Sequence, residues 1–108
     1  MTAGKLNKRA AFSAPFEERD DDGQLVQRYD QQFTVWSGIR WLRGGESVMQ
    51  SRMQSHSLAI LTVRATPDTR RITSEWRVLV DGRDFDVKED PRETEDRGYF
   101  EMLIEARA

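Results

Sequence analysis

The chain has no cysteine, which excludes a disulfide-stapled scaffold and any thiolate metal site and fits a reducing compartment. It has one histidine, His56, so zinc chemistry and nucleophile-histidine catalysis would need partners that the sequence does not supply. No stretch of about 18 apolar residues exists, and the N-terminus lacks a signal-like hydrophobic run, so a soluble, unprocessed chain with no membrane contact is expected. Nor is there an excess of one charge: 17 basic residues against 19 acidic ones leave a net charge of −2. That removes the basic surplus expected of a protein whose main task is to grip nucleic acid.

What is present is an alternating pattern. In Glu75 to Lys88, Asp81-Gly82 separates two runs of period two, the strongest local signal for a hairpin with a type I′ turn. Counting outward pairs Val80 with Arg83, Leu79 with Asp84, Val78 with Phe85, Arg77 with Asp86, Trp76 with Val87 and Glu75 with Lys88. One face then carries Trp76, Val78, Phe85 and Val87, and the other carries two opposite-charge pairs. A slip of one residue would invert both faces, so this register is strongly specified.

The other segments follow from the same periodicity. Met1 to Asn7 reads as a polar, mobile arm, and Lys8 to Phe16 as a first strand closed by Pro15. Glu17 to Gly23 reads as an acidic hairpin tip. A calcium loop there fails on spacing, because Gln24-Leu25-Val26-Gln27 offers no ligands after the glycine. Gln31 to Leu42 places Phe33, Val35, Ser37, Ile39 and Trp41 on one face and Trp36 and Leu42 on the other. Bulk on both faces suits a barrel strand whose outer side is covered by a helix or a neighbouring subunit, or one bulged at Gly38. Trp36 or Trp41 could instead stack on nucleic-acid bases.

Arg43-Gly44-Gly45 breaks that strand, and Glu46 to Gln54 reads as a short helix with Val48, Met49, Arg52 and Met53 on one side. Gly44-Gly45 is not a phosphate loop, since no Gly-Lys-Ser/Thr follows. Ser55 to Thr66 contains the apolar run Leu58 to Val63 and reads as the most buried strand, with His56 structural at its edge. Pro67-Asp68-Thr69 turns the chain, and Ile72 leads into the hairpin. Lys88 to Gly98 is a loop in which eight of eleven residues are charged. Tyr99 to Ala106 closes the chain as a strand with Phe100, Met102 and Ile104 inward and Glu101 and Glu105 outward.

The expected fold is all-β: a small antiparallel β-barrel of five or six strands with one short helix in a long loop. The 108 residues are expected to form one domain that buries about 65% of the surface of the unfolded chain. The charged loop is either a solvated excursion or a functional one; on the second reading Asp90, Arg92, Glu93, Glu95 and Arg97 are candidate partner or ring contacts, because mixed signs favour a polar contact surface over simple repulsion.

Several pieces in fixed order carry a family resemblance. They are Gly4-x-Leu6-x-x-Arg9 with Pro15; Asp22-Gly23; Val35-Trp36-x-x-Ile39; Gly45-Glu46 with Gln50; Ser55-His56-x-Leu58-x-Ile60 with Val63-Arg64; Arg77-Val78-x-x-x-Gly82-Arg83-x-Phe85-x-Val87; Pro91-x-Glu93; and Glu101-x-Leu103. Together they span nearly the whole chain, which resembles the tailed-phage head–tail joining, or head closure (stopper), family of siphophage-like or phage-derived particles.

The resemblance implies a structural β-barrel subunit of the head–tail connector, without enzymatic activity or cofactor. Rings of six or twelve copies would sit in the particle neck below the portal and its adaptor protein, assembled in the host cytoplasm. They would close the DNA channel after packaging and dock the tail through its terminator protein. Double-stranded DNA would pass through the ring without sequence-specific binding, which the balanced charge suits, since strong phosphate neutralisation would hold the duplex. The insertion Arg43 to Ser55, with Arg43, Glu46, Met49, Arg52 and Met53, is the implied gating loop. The competing reading is an oligonucleotide-binding β-barrel module carried by Trp36, Trp41 and the central arginines; the acidic loops and negative net charge oppose it.

Overall fold

The computed structural model describes residues 6–42 and 58–107. Their strands are β1 (Lys8–Arg19), β2 (Leu25–Trp41), β3 (Leu58–Arg64), β4 (Arg77–Val80), β5 (Arg83–Val87), β6 (Arg92–Glu93) and β7 (Tyr99–Ala106), with a 3-10 turn at Thr69–Arg71. All pairings are antiparallel, in the order β3-β2-β1-β4-β5-β7-β6, and β3 also pairs with β7. That last pairing closes six strands into a barrel and leaves no open sheet edge around the core.

The expectation of an all-β barrel is met, with one more strand than the five or six expected. The extra strand is β6, two residues of the charged loop that lie beside Glu101 and Phe100 of β7. β7 is long enough to carry β5 along one part of an edge and β6 along the next. The expected helix, Glu46 to Gln54, lies outside the described residues.

The β4–β5 hairpin has the expected register from Val80↔Arg83 to Arg77↔Asp86. Asp81 and Gly82 both take positive φ, 57° and 78°, as a type I′ turn requires. Trp76, Val78, Phe85 and Val87 are buried on the expected face. On the outer face Arg77 Nε lies 3.4 Å from Asp86, an ion pair without hydrogen-bond geometry, and Arg107 donates to the same carboxylate at 3.0 Å. The expected Glu75–Lys88 pair is replaced: Lys88 pairs with Glu105 at 3.5 Å, and its N–H donates to Leu103. Past Val87 the chain leaves β4 and follows the longer β7.

β1 and β2 both overrun their expected limits. β1 continues through Pro15 to Arg19, and β2 begins at Leu25 rather than Gln31. β4 pairs with β1 only over Ala10–Ser13, and β3 with β2 only over Ser37–Trp41. Beyond Ser13 the two strands therefore form a two-stranded arm that pairs only with itself. Pro15 is tolerated there because β1 has a free edge to which its missing N–H can be turned. The bulge lies at Gln32, between the pairs Phe12↔Phe33 and Ser13↔Gln31, while Gly38 pairs regularly with Thr62.

Side chains fill the barrel. Phe12, Leu61, Phe85, Met102 and Ile104 are fully buried, with Val63, Val78, Val80 and Val87 around them. At one mouth Trp41 packs on Phe85 with ring centroids 5.8 Å apart, and Arg83 lies 5.1 Å from the Trp41 ring. At the other, Phe33 meets Phe12 and Trp76, and Arg71 of the 3-10 turn caps both Phe33 and Trp76. Thr69 is buried in the same turn because its hydroxyl donates to Arg64 O at 2.7 Å and accepts from Thr66 N at 2.8 Å. Leu6, expected within a mobile arm, is buried at 8% exposure.

Candidate functional site

The interior is filled, so candidate contacts among the described residues lie on the outer surface, where four regions stand out: one rim, the charged loop, the β1–β2 arm and the surroundings of Trp36. At the rim, Leu42 N donates to Leu58 O at 3.0 Å. The chain thus leaves the barrel and rejoins it at one point, beside Trp41 of β2. The gating-loop residues Arg43, Glu46, Met49, Arg52 and Met53, together with His56, lie in the intervening segment, outside the described residues.

The charged loop is pinned rather than free. Asp90 Oδ1 accepts from Ser74 N at 2.8 Å, Arg92 pairs with Glu89 at 3.5 Å, and Glu93 lies 3.9 Å from Arg70. Thr94 N donates to Tyr99 O, and Arg97 takes φ 60° while its N–H donates to Thr94 O. The Asp96 carboxyl is held below its ordinary range, first by the Thr94 hydroxyl and then by the Gly98 N–H, both donating to it. Glu95 and Arg97 point to solvent, and neither is ion-paired among the described residues. Arg92, Glu93, Glu95 and Glu101 thereby line one shallow hollow of about 570 Å³. Of the candidate contacts, the loop brings Arg92, Glu93 and Glu95 to one hollow and leaves Asp90 and Arg97 outside its lining, with Asp90, Arg92 and Glu93 already engaged within the chain.

The arm carries acids at its tip and exposed apolar side chains behind them. Asp20 shapes the turn, its Oδ1 accepting from Asp22 N and Gln24 N, each at 2.9 Å. Glu18 is paired with Arg28 across the ribbon. Phe16 and Leu25 are 42% and 58% exposed, because neither β3 nor β4 reaches this part of the ribbon. Among the described residues no group of three or more His, Asp or Glu side chains is placed to hold a metal ion.

Sequence reading singled out Trp36 but not the neighbours that surround it. It placed Trp36 and Trp41 on opposite faces, and they differ as that implies: Trp41 packs against the core, whereas Trp36 is 52% exposed. No helix among the described residues covers Trp36. The Arg9 guanidinium lies 5.0 Å from its ring. The face of Trp36 was assigned from the sequence, but its adjacency to Arg9 depends on the β1–β2 register.

Comparison with known proteins agrees with this architecture. The solution structure of protein SF1141 from Shigella flexneri 2a superimposes with a TM-score of 0.73 at 19% identity, covering 100% of this chain and 98% of that one. A chain from the virion of a native gene transfer agent particle matches with a TM-score of 0.65 at 19% identity, covering 95% and 96%. At these identities the likeness concerns the fold. No curated protein shows a significant match. The model of the phage head completion proteins matches residues 1–107, so the chain belongs to that family and its role is that of a structural, head-related component of a phage or phage-like particle.

Proposed function

We propose that the chain is a head-closure subunit of the particle neck: copies assemble as a ring of six or twelve below the portal-side adaptor, close the DNA channel after packaging, and present the surface on which the tail terminator docks. The filled barrel is the observation that carries this reading. With Phe12, Leu61, Phe85, Met102 and Ile104 occupying the interior, no duplex threads a single subunit, so any channel must be enclosed between copies. Closing such a channel needs a segment that can reach inward without unfolding the barrel. The stretch between Leu42 and Leu58 suits this, because the Leu42–Leu58 hydrogen bond holds both its ends at one rim. Asp90, Arg92, Glu93, Glu95 and Arg97 offer a polar, mixed-charge surface for neighbouring copies or for the adaptor. The subunit's work is mechanical rather than catalytic, and assembly takes place in the host cytoplasm.

The test is deletion of Glu46 to Gln54. The barrel should still fold, with unchanged strand content by circular dichroism, and heads built with the variant should lose their packaged DNA. Heads that retain DNA with the deletion in place would overturn the gating role.

A further inference from the structure

Cross-strand register assembles a cation–aromatic row on the outside of the barrel. Arg9 pairs with Trp36 across β1 and β2, and Arg64 with Tyr99 across β3 and β7. The pair Ser37↔Val63 sets Trp36 beside Arg64, and both line one shallow hollow with Leu6 and Asn7. Arg9 lies 5.0 Å from the Trp36 ring and Arg64 lies 5.8 Å from the Tyr99 ring. Arg9, Arg64 and the indole of Trp36 are exposed, and neither arginine is ion-paired among the described residues. Next to them a groove of about 450 Å³ runs between Trp36 and Leu79, which is 44% exposed, with Ala11 on its lining.

The β1–β2 arm ends in the complementary chemistry. Glu17, Glu18, Asp20, Asp21 and Asp22 stand against one base, Arg19, over six residues. Glu18 is paired with Arg28, and Asp20 is used by the turn, which leaves Glu17, Asp21 and Asp22 to face a partner. Arg19 donates to Gly23 O at 2.6 Å. Behind the tip, Phe16 and Leu25 supply apolar side chains of a size to enter a shallow groove.

Row and tip lie toward opposite ends of the same ribbon. β1 runs 12 residues from Lys8 to Arg19, and at about 3.3 Å per residue the separation is roughly 35 Å. A paired ribbon cannot fold back to bring the two together within one chain. Tip and row can therefore meet each other between copies but not within one, and unlike patches meeting head to tail generate a ring wherever the rotation closes.

We propose that the acidic tip of the β1–β2 arm of one copy seats on the Arg9–Trp36–Arg64 row of the next. The inference rests on the ring assembly proposed above and names the contact that builds it. Carboxylates of the tip meet the two guanidiniums, and Phe16 or Leu25 enters the groove beside Trp36. The contact is small and polar, so it is weak between free copies and gains strength when an adaptor holds many copies in place.

The cysteine-free chain makes a direct test clean. A chain carrying both Asp21→Cys and Asn7→Cys is oxidised, free at high concentration and assembled in particles. A head-to-tail contact yields a ladder of covalent multimers, whereas either single substitution yields at most dimers. Arg9→Glu with Arg64→Glu, checked for folding by circular dichroism, should cut ladder formation by about tenfold or more. Adding Glu17→Lys and Asp22→Lys to that chain should restore it, which a merely destabilised patch would not do. Rings seen by electron microscopy in particles that give no ladder would overturn the contact and leave the ring reading standing. Absence of rings together with absence of a ladder would remove both. If the arginine reversals abolish salt-dependent binding of duplex DNA while the ladder persists undiminished, the row serves the phosphate backbone and the proposal is overturned.

Discussion

The Asp96 carboxylate accepts from the Thr94 hydroxyl and the Gly98 N–H, and both bonds are made only to the folded chain. Its folded-state pKa therefore lies below its unfolded value, and the stabilisation is present above the unfolded value and fades as pH falls through the folded one. An NMR titration should show the Asp96 carboxyl losing its proton at lower pH than an ordinary aspartate, with Thr94→Val moving it back up. A titration unchanged by Thr94→Val would show that the hydroxyl is not the cause. At Gly82 the constraint is steric. Open space surrounds the position, but φ is 78°. Gly82→Ala should cost about 1 kcal/mol through backbone strain, visible as a lower midpoint in urea with an unchanged slope.

At the scale of elements, β1 divides into a half that holds the barrel and a half that leaves it. Phe12 is fully buried against Phe33 and the β4–β5 hairpin, while Phe16, four residues on, is 42% exposed in the arm. Phe12→Ala should destabilise the fold by about 3–5 kcal/mol, and Phe16→Ala by no more than about 0.5 kcal/mol. Denaturant unfolding of the two variants checks this, and equal losses would mean that the arm is part of the cooperative core. The hairpin faces and those of β7 were legible because period two was uninterrupted in both. β1 was read short because Pro15 looks like a terminator, and only an unpaired edge makes it compatible with a continuing strand. β6 carried no sequence signal at all: Arg92 and Glu93 form a strand because β7 offers them a vacant edge.

For the whole molecule, a filled barrel carries acids at one end of its longest ribbon and, toward the other, arginines without an ion pair among the described residues, the arrangement on which the proposed head-to-tail contact rests. Among the described residues no long apolar stripe is exposed; the large exposed apolar ones are Phe16 and Leu25 in the arm, and Trp36 with its β4 neighbour Leu79 toward the other end of that ribbon. The isolated chain should therefore sediment as a monomer or a weak, salt-sensitive associate, and form a ring on its adaptor. A tight ring at micromolar concentration without partners would contradict this. The candidate contacts were legible only in part. Lys88 to Gly98 could be singled out by charge density, but its attachment to Ser74, Arg70 and β7 could not.

The sequence by itself determined which side chains of the β4–β5 hairpin and of β7 face inward and how β4 and β5 pair, because alternation and the Asp81-Gly82 turn are local properties read residue by residue. The motif order also carried the family. Only the tertiary structure decided that β3 meets β7 to close the barrel, that β1 and β2 outrun it as an arm, and that Arg9, Trp36 and Arg64 share one row. Those neighbours belong to strands whose relative stagger is set by barrel closure and shear, a global condition that no local periodicity encodes.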